Sequence, residues 1–170
     1  RIHFEDQAGE SAHWSQFMTS ASTRVPVTAA EARAEFRENL LAQPTSGMAP
    51  GFVQANLAIL PRESAFEFLL FCQRNPKPCP VIDVIEAGSV EPVISAPGAD
   101  IRTDVPRYLV YRDGVVTDEL LDLKSIWQDD LVSFLLGCSF SFEHALIENG
   151  IGLPRWETDK NVAMFKTNLQ

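Results

Sequence analysis

The dipeptide Asp113-Gly114 constrains the fold of this chain more than any other short segment. Two runs rich in aromatic and β-branched residues flank it, at 108–112 and 115–118. Asp-Gly is a preferred pair for the tight turn of a β-hairpin, so the pattern predicts two antiparallel strands. Elsewhere the strands and helices do not alternate regularly, as they would in a parallel doubly wound sheet. We therefore expect an α+β fold with a mixed β-sheet and several short helices.

Capping signals and apolar periodicity predict the other elements. Thr28 and Ser64 each open a capping box, in which a hydroxyl caps the helix and a Glu three residues later reaches back. The expected helices span 28–42, 64–74, 122–136 and 142–149, and the further strands 52–60 and 81–86. Gln43-Pro44 should terminate the first helix, and a left-handed Gly150 should terminate the last. The first should bury three apolar residues, Ala32, Phe36 and Leu40.

Two polar features interrupt these elements. Alternation along the strand at 52–60 places Gln54 and Asn56 on one face, where they either bond a neighbouring loop or line a polar pocket. The segment Asn75-Pro-Lys-Pro-Cys-Pro80 contains three prolines, which exclude both a helix and a central strand. Such a stiff loop would hold Lys77 in place, either as a functional group or as part of a corner.

Size and charge limit the classes of partner. The chain has 170 residues, enough for one domain, which we expect at 28–170 after a flexible arm at 1–27. Its formal net charge is −9, which argues against nucleic acid or an anionic membrane as a partner. No apolar run approaches the roughly 20 residues of a membrane span. A small acidic molecule is the expected partner, and self-association stays open.

Cysteine and histidine usage gives no sign of a metal or a cofactor. The three cysteines are an odd number without a CxxC pair, which argues against a disulfide framework: Cys72, Cys79 and Cys138. The three histidines lack helical ligand spacing: His3, His13 and His144. We expect a reducing compartment, the cytoplasm or, in a eukaryote, the mitochondrial matrix.

The segment from Gly98 to Tyr108 concentrates charge before the predicted hairpin. It carries two carboxylates and two guanidinium groups: Asp100, Arg102, Asp104 and Arg107. Arginine binds carboxylates through two parallel hydrogen bonds, and a nearby carboxylate with a raised pKa can act as a general base. The segment could therefore clamp an anion and move protons. Alternatively, it is a set of Asp–Arg pairs that only fixes a loop.

A second candidate site lies at the start of the last predicted helix. Gly137 and Cys138 precede two hydroxyl residues, Ser139 and Ser141. A helix N-terminus presents unpaired amide groups that attract carboxylate or phosphate. Either serine could instead be a simple N-cap. Cys138 near a helix N-terminus could act as a nucleophile, but no histidine lies at a spacing that indicates a dyad, so a buried structural thiol is the favoured interpretation.

Several long segments resemble the hydro-lyase family that includes the D-glutamate cyclases. They are 49–61, 71–80, 98–114 and 127–143, with 161–168 resembling the family's closing motif. The resemblance covers about residues 30–170 and keeps the motifs in the family's order. Family members usually continue well beyond that closing motif, so we expect this chain to lack their C-terminal tail.

The resemblance implies an enzyme that interconverts D-glutamate and 5-oxo-D-proline plus water, without a nucleotide cofactor. We expect Arg102 and Arg107 to clamp the carboxylates and Asp100 or Asp104 to act as the base. The helix end with Ser139 and Ser141 would receive the developing oxyanion. Three residues would orient the substrate, Gln54, Asn56 and Lys77. The alternatives are another small carboxylic acid as substrate, or a non-catalytic protein that binds an acidic metabolite.

Overall fold

A computed structural model describes residues 26–43 and 45–152 of the chain. Within them the chain forms three helices and five strands: α1 (Ala29–Arg37), β1 (Ala55–Pro61), α2 (Arg62–Arg74), β2 (Val81–Ile85), β3 (Tyr108–Arg112), β4 (Val115–Leu120), β5 (Leu131–Gly137) and α3 (Phe140–Glu148). The α+β class is confirmed. Several predicted features lie wholly or almost wholly outside the described residues: the arm at 1–27, His3, His13, Pro44 and the segment 161–168.

The main sheet has three antiparallel strands, with β5 between β1 and β2. On β5, Val132, Ser133 and Phe134 are the most buried residues, each no more than 8% exposed. Leu135 lies opposite Leu57 of β1 and Asp83 of β2. Since side chains alternate along a strand, Leu135 and Phe134 lie on opposite faces of the sheet.

The predicted helix at 122–136 is wrong. Residues 121–130 form turns and irregular backbone, and the apolar run that follows forms β5. A central strand with apolar side chains on both faces is as uniformly apolar as a buried helix, so periodicity does not distinguish the two. Because this run is hydrogen-bonded to both β1 and β2, it is the central strand of the sheet.

Helix α2 covers one face of the main sheet. The Phe68 ring meets the Phe134 ring edge-on, with centroids 4.9 Å apart, a geometry worth about 0.5–1.5 kcal/mol beyond burial. The predicted start at Ser64 is wrong, because α2 follows β1 directly, with Pro61 at its N-cap and no side-chain cap. The Arg62 amide donates instead to the Asp130 carbonyl at 3.0 Å. The other face of the sheet is left for the candidate site.

Helix α1 begins as predicted but ends early. The Thr28 hydroxyl accepts from the Glu31 amide, and the Glu31 carboxylate accepts from the Thr28 amide, which confirms the capping box. The helix ends at Arg37 because Asn39 adopts a left-handed φ of 56°. That turn leaves Leu40 55% exposed, contrary to the prediction, and buries Leu41 instead. The resulting small core consists of Ala32, Phe36, Leu41 and Met48.

The predicted hairpin is confirmed as a separate two-stranded sheet of β3 and β4. Asp113 and Gly114 have φ angles of 52° and 79°, the left-handed pair that a tight hairpin turn requires. The ladder shifts register between Val110 and Tyr111. Because β3 begins at Tyr108, the hairpin anchors the C-terminal end of the charged segment.

The long connection between β2 and β3 is fixed by backbone hydrogen bonds. The Ile101 amide donates to the Val90 carbonyl at 2.9 Å, and the Leu123 amide donates to the Arg102 carbonyl at 2.9 Å. The buried Tyr108 hydroxyl donates to the Ile101 carbonyl at 2.8 Å. These bonds give the charged segment a defined conformation.

Helix α3 starts at Phe140, two residues earlier than predicted. Its C-terminal end agrees with the prediction, because Gly150 follows it with a φ of 74°. Glycine is preferred at this position because it has no side chain to clash in a left-handed conformation.

Candidate functional site

Asp100 and Arg102 form a bidentate pair on the charged segment. The Arg102 Nε donates to Asp100 Oδ1 at 2.9 Å and its Nη2 donates to Oδ2 at 2.7 Å. The Arg102 backbone amide also donates to Oδ1. The hydrogen bonds from Arg102 lower the pKa of Asp100. The guanidinium fork that was expected to clamp a substrate therefore faces a carboxylate of its own chain.

Asp104 is the most enclosed charged group of the segment, with a side chain that is 2% exposed. It accepts from Nε of Arg37 at 2.8 Å, from Nη2 of the same residue, from the Thr103 hydroxyl and from the Asp100 amide. Burial alone would raise the pKa of Asp104, but the bonds from Arg37 and the other donors outweigh it and lower that pKa. The carboxylate is therefore held in its ionised form.

Arg37 is a site residue that sequence reasoning missed. It lies in the last turn of α1, 67 positions before Asp104. A basic residue in that turn is ordinary, because it complements the negative end of the helix dipole. Only the folded chain shows that its guanidinium joins α1 to the charged segment.

Arg107 makes a separate connection, from the charged segment to the hairpin and to the segment that follows α1. It pairs with Glu119 of β4, and its Nη2 donates to the Ala42 carbonyl at 3.4 Å. Its side chain is 18% exposed. All four charged residues of the segment thus form ion pairs. The pairs of Asp100 and Asp104 belong to one cluster, because the Asp100 amide donates to the Asp104 carboxylate.

Ser141 and Gln54 meet although they are 87 positions apart. The Ser141 hydroxyl accepts from the backbone amide of Gln54 at 2.8 Å and donates to the backbone carbonyl of Gln54 at 3.2 Å. The Cys138 amide donates to the same carbonyl at 3.1 Å. These bonds dock the start of α3 beside the entry to β1. Ser139 occupies the N-cap position, is exposed and makes no side-chain capping bond.

The Gln54 side chain fixes the turn that precedes β1. Its Oε1 accepts from the Thr45 hydroxyl at 2.6 Å, and its Nε2 donates to the Met48 carbonyl at 3.2 Å. Strand β1 starts at Ala55, three residues later than predicted, so Gln54 lies just outside it. Asn56 lies opposite Leu136, on the face that α2 covers, and is exposed.

A concavity of about 230 Å³ lies on the sheet face opposite α2; we call it the main concavity. Its walls come from α1, the segment 45–55, the sheet and the segment 95–106. Its polar lining includes Arg33, Thr45, Gln54, Ser95 and Asp104. Drug-sized ligands usually occupy about 300–1,000 Å³, so this volume suits a small metabolite.

A second, smaller concavity of about 80 Å³ adjoins the main one, and Met48 and Phe52 line both. Ser141 and Glu143 belong to the smaller one. The structure thus brings Asp104 and Gln54 to one cavity, with Ser141 next to it. Within the described residues, Asp100, Arg102 and Arg107 line neither concavity. Lys77 is exposed in the turn between α2 and β2.

Arg33 is the second residue that sequence reasoning missed. It lies one turn before Arg37 on α1, is half-buried and lines the main concavity. Its position four residues before another arginine could have suggested a shared helix face, but the pattern does not show what that face meets. Arg33 and Asp104, two residues of opposite charge, therefore both line the main concavity.

In the part of the chain that the structure describes, no three or more His, Cys, Asp or Glu residues are grouped so that they could hold a metal ion. In the same part, no helix combines the length and the apolar character needed to cross a bilayer.

The family and the known proteins that this chain resembles are described as D-glutamate cyclase or as "Putative hydro-lyase". A family described as D-glutamate cyclase matches residues 132–170. "Putative hydro-lyase GK2103" of Geobacillus kaustophilus is 57% identical over 144 residues, which are 85% of this chain and 55% of that protein. "Putative hydro-lyase YcsI" of Bacillus subtilis is 55% identical over 139 residues, which are 82% of this chain and 54% of that protein. The chain spans about half the length of the curated relatives it matches.

Proposed function

Because this chain belongs to the hydro-lyase family that includes the D-glutamate cyclases, we propose that its main concavity binds D-glutamate for conversion to 5-oxo-D-proline. In this reaction the amine nitrogen bonds to the γ-carboxyl carbon, and one oxygen of that carboxyl leaves as water. The supporting observation is the polar lining of the cavity. A cation and an ionised carboxylate, Arg33 and Asp104, border a space of metabolite size.

The two charges match the two kinds of charge on an amino acid. Arg33 would bind a substrate carboxylate, since arginine presents a planar pair of donors. Asp104, which Arg37 and Thr103 keep ionised, would attract the substrate ammonium group, and a direct bond to it requires one of the present donors to give way. Clamping by Arg102 and Arg107 is a second arrangement, and it requires their present ion pairs to open.

Asp104 is better suited to binding the substrate than to acting as a general base. Asp100 is better suited to positioning than to that role. A carboxylate with a lowered pKa is a weak base near neutral pH. Ser141 would act as a positioning residue for Gln54, whose side chain borders the main concavity. The N-terminal end of α3 would receive the developing oxyanion from the side of the small concavity, which Ser141 lines and Ser139 does not. Asn56 and Lys77 stay as candidates for orienting the substrate.

The test is conversion by the purified full-length protein. D-glutamate and 5-oxo-D-proline are supplied separately, and chiral mass spectrometry follows their ratio. L-glutamate serves as the stereochemical control. We expect the same final ratio from both directions with the D-compounds. No change in either direction, with a folded protein, would contradict the proposal.

A second function, binding of an acidic metabolite without turnover, is favoured by one observation. Both carboxylates of the cluster have lowered pKa values, so neither is poised for proton transfer at neutral pH. A rise in Tm with D-glutamate or 5-oxo-D-proline, without conversion, would favour this function. A panel of other small carboxylic and hydroxy acids tests for a different hydro-lyase substrate.

For the location, we propose the cytoplasm. Cys72, Cys79 and Cys138 are all free thiols, which fits a reducing compartment.

A further inference from the structure

Ser95 lines the main concavity and is hydrogen-bonded to a carboxylate of the main sheet. Its hydroxyl donates to Oδ2 of Asp83 at 2.7 Å, and its backbone amide donates to the same oxygen at 3.3 Å. Asp83 lies on β2, opposite Leu135 of β5, which also lines the main concavity. The other carboxylate oxygen of Asp83 accepts from the Val84 amide at 2.9 Å. A fixed carboxylate thus holds a hydroxyl in the cavity wall.

The segment around Ser95 is held by hydrogen bonds of its own. The Ala96 amide donates to the carbonyl of the buried Pro92 at 2.8 Å. The Gly98 amide donates to Oε1 of Glu91 at 2.7 Å. These bonds close the loop on both sides of Ser95, so the position of its hydroxyl follows from the fold.

The direction of the Ser95 hydroxyl determines which ligand group it can bind. A hydroxyl has one proton to donate and two lone pairs that accept. Because the proton is donated to Asp83, the Ser95 oxygen offers a ligand only its lone pairs. A carboxylate, which only accepts, does not suit this oxygen, whereas an ammonium group, which only donates, does.

We propose that Ser95 accepts a hydrogen bond from the ammonium group of the substrate, a role that rests on the function proposed above for the main concavity. Asp83 is the positioning residue, because it takes the hydroxyl proton and leaves the oxygen as an acceptor. Hydrogen bonds in series polarise one another, so the carboxylate also strengthens that acceptor. The Asp104 carboxylate already accepts four hydrogen bonds, and it attracts the ammonium group without a direct bond.

This arrangement gives the substrate one orientation. The ammonium group binds at Ser95 and a carboxylate binds at Arg33, and both residues line the main concavity. Glutarate is the dicarboxylic acid with the same carbon chain as glutamate but without the amine, so at neutral pH it has no donor for the Ser95 oxygen. The main concavity should therefore prefer D-glutamate to glutarate, and Ser95 is a residue that determines this preference.

The test compares the affinities of the full-length protein for D-glutamate and glutarate, from the rise in Tm over a series of ligand concentrations. Ser95→Ala removes the acceptor and should weaken binding of D-glutamate about tenfold, and binding of glutarate less than about twofold. Asp83→Asn should also weaken D-glutamate selectively. The new amide can donate to the Ser95 oxygen, and the hydroxyl proton then points at the ammonium group.

Two control variants accompany these. Ser89→Ala deletes the same atom from the same connection, at a described residue that lines neither concavity, and should leave both affinities unchanged. Ser95→Thr keeps the hydroxyl and should keep the preference for D-glutamate. Ser95→Ala decides the outcome even if Asp83→Asn fails to fold, because Ser95 is exposed.

Equal losses for the two ligands in Ser95→Ala would overturn the proposal and show that the pair only shapes the cavity wall. Unchanged binding of D-glutamate in that variant would overturn it as well. Conversion of D-glutamate by the unmodified protein is measured separately. A protein that converts D-glutamate but shows either result refutes the role of Ser95 alone, whereas a protein that binds neither ligand refutes the proposed function too.

Discussion

At the scale of single residues, the ion pair between Arg37 and Asp104 is a long-range contact at the candidate site. It joins α1 to the charged segment across the wall of the main concavity. The sequence indicated Asp104 as a site residue, because charge is concentrated around it. It gave no sign of Arg37, because a pair separated by 67 positions leaves no local pattern.

We predict that Asp104→Asn lowers the free energy of unfolding by about 2 kcal/mol. The substitution removes the charge that Arg37 and the Thr103 hydroxyl face in an enclosed position. The matched control is Asp100→Asn, whose pair with Arg102 is more exposed and should cost about 1 kcal/mol or less. Denaturant unfolding of both variants measures the difference. Equal losses would show that burial of Asp104 adds nothing.

The same carboxylates predict a pH dependence of stability. Their pKa values are lower in the folded chain than in the unfolded chain, so the unfolded chain takes up protons first as the pH falls. Their contribution is fully present above the unfolded value of about 3.9 and is lost as the pH falls through the folded values. The denaturation midpoint of the unmodified protein should therefore drop below about pH 4. Asp104→Asn should flatten that drop, and a parallel profile would contradict the assignment.

At the scale of elements, hydroxyl groups on β5 and α3 have opposite roles. Ser133 lies in the middle of β5, is 1% exposed, and its hydroxyl has no hydrogen-bond partner among the described residues. Ser141, in contrast, joins α3 to the backbone of Gln54 through two hydrogen bonds. A partnered hydroxyl stabilises a fold, whereas one that is buried without a partner opposes it.

We predict that Ser133→Ala leaves the free energy of unfolding unchanged or raises it by about 1 kcal/mol. Ser141→Ala should lower it by about 1–2 kcal/mol, because the Gln54 amide loses its acceptor. The two variants delete the same atom and so control for each other in thermal or denaturant unfolding. A larger loss from Ser133→Ala than from Ser141→Ala would reverse this assignment.

Local sequence signals predicted the helices and strands well only where the residue at one position determines the backbone conformation. The Thr28 capping box, the Asp113-Gly114 turn and Gly150 all behave as predicted. The prediction of a helix over 131–136 is wrong because a strand that is apolar on both faces has no alternating pattern. The prediction that Ser64 caps α2 is wrong, because the helix starts directly after β1. No side chain caps it, and the Arg62 amide donates to the Asp130 carbonyl.

At the scale of the whole molecule, the main concavity is a product of distant segments. It brings together α1, the turn before β1, the sheet and the connection to the hairpin. Sequence reasoning selected two of its polar lining residues, Gln54 and Asp104, from local composition. It missed Arg33, because the sequence shows that a helix face is polar but not which part of the fold that face contacts.

The charged segment and the hydroxyl end of α3 were expected to border a common cavity. The structure places Asp104 on the main concavity and Ser141 on the small one beside it, linked through the turn that Gln54 fixes. The segment's arginines make ion pairs instead. The carboxylate-binding site that we propose in the main concavity therefore depends on Arg33.

The most direct test is the KM for D-glutamate of Arg33→Met, with Arg74→Met at the end of α2 as the matched control. Loss of a charged contact to a substrate carboxylate should raise KM about tenfold, and kcat should change less. Arg74→Met should leave both unchanged. An unaltered KM in Arg33→Met, with a raised KM in Arg102→Met, would contradict the account and move the substrate to the charged segment.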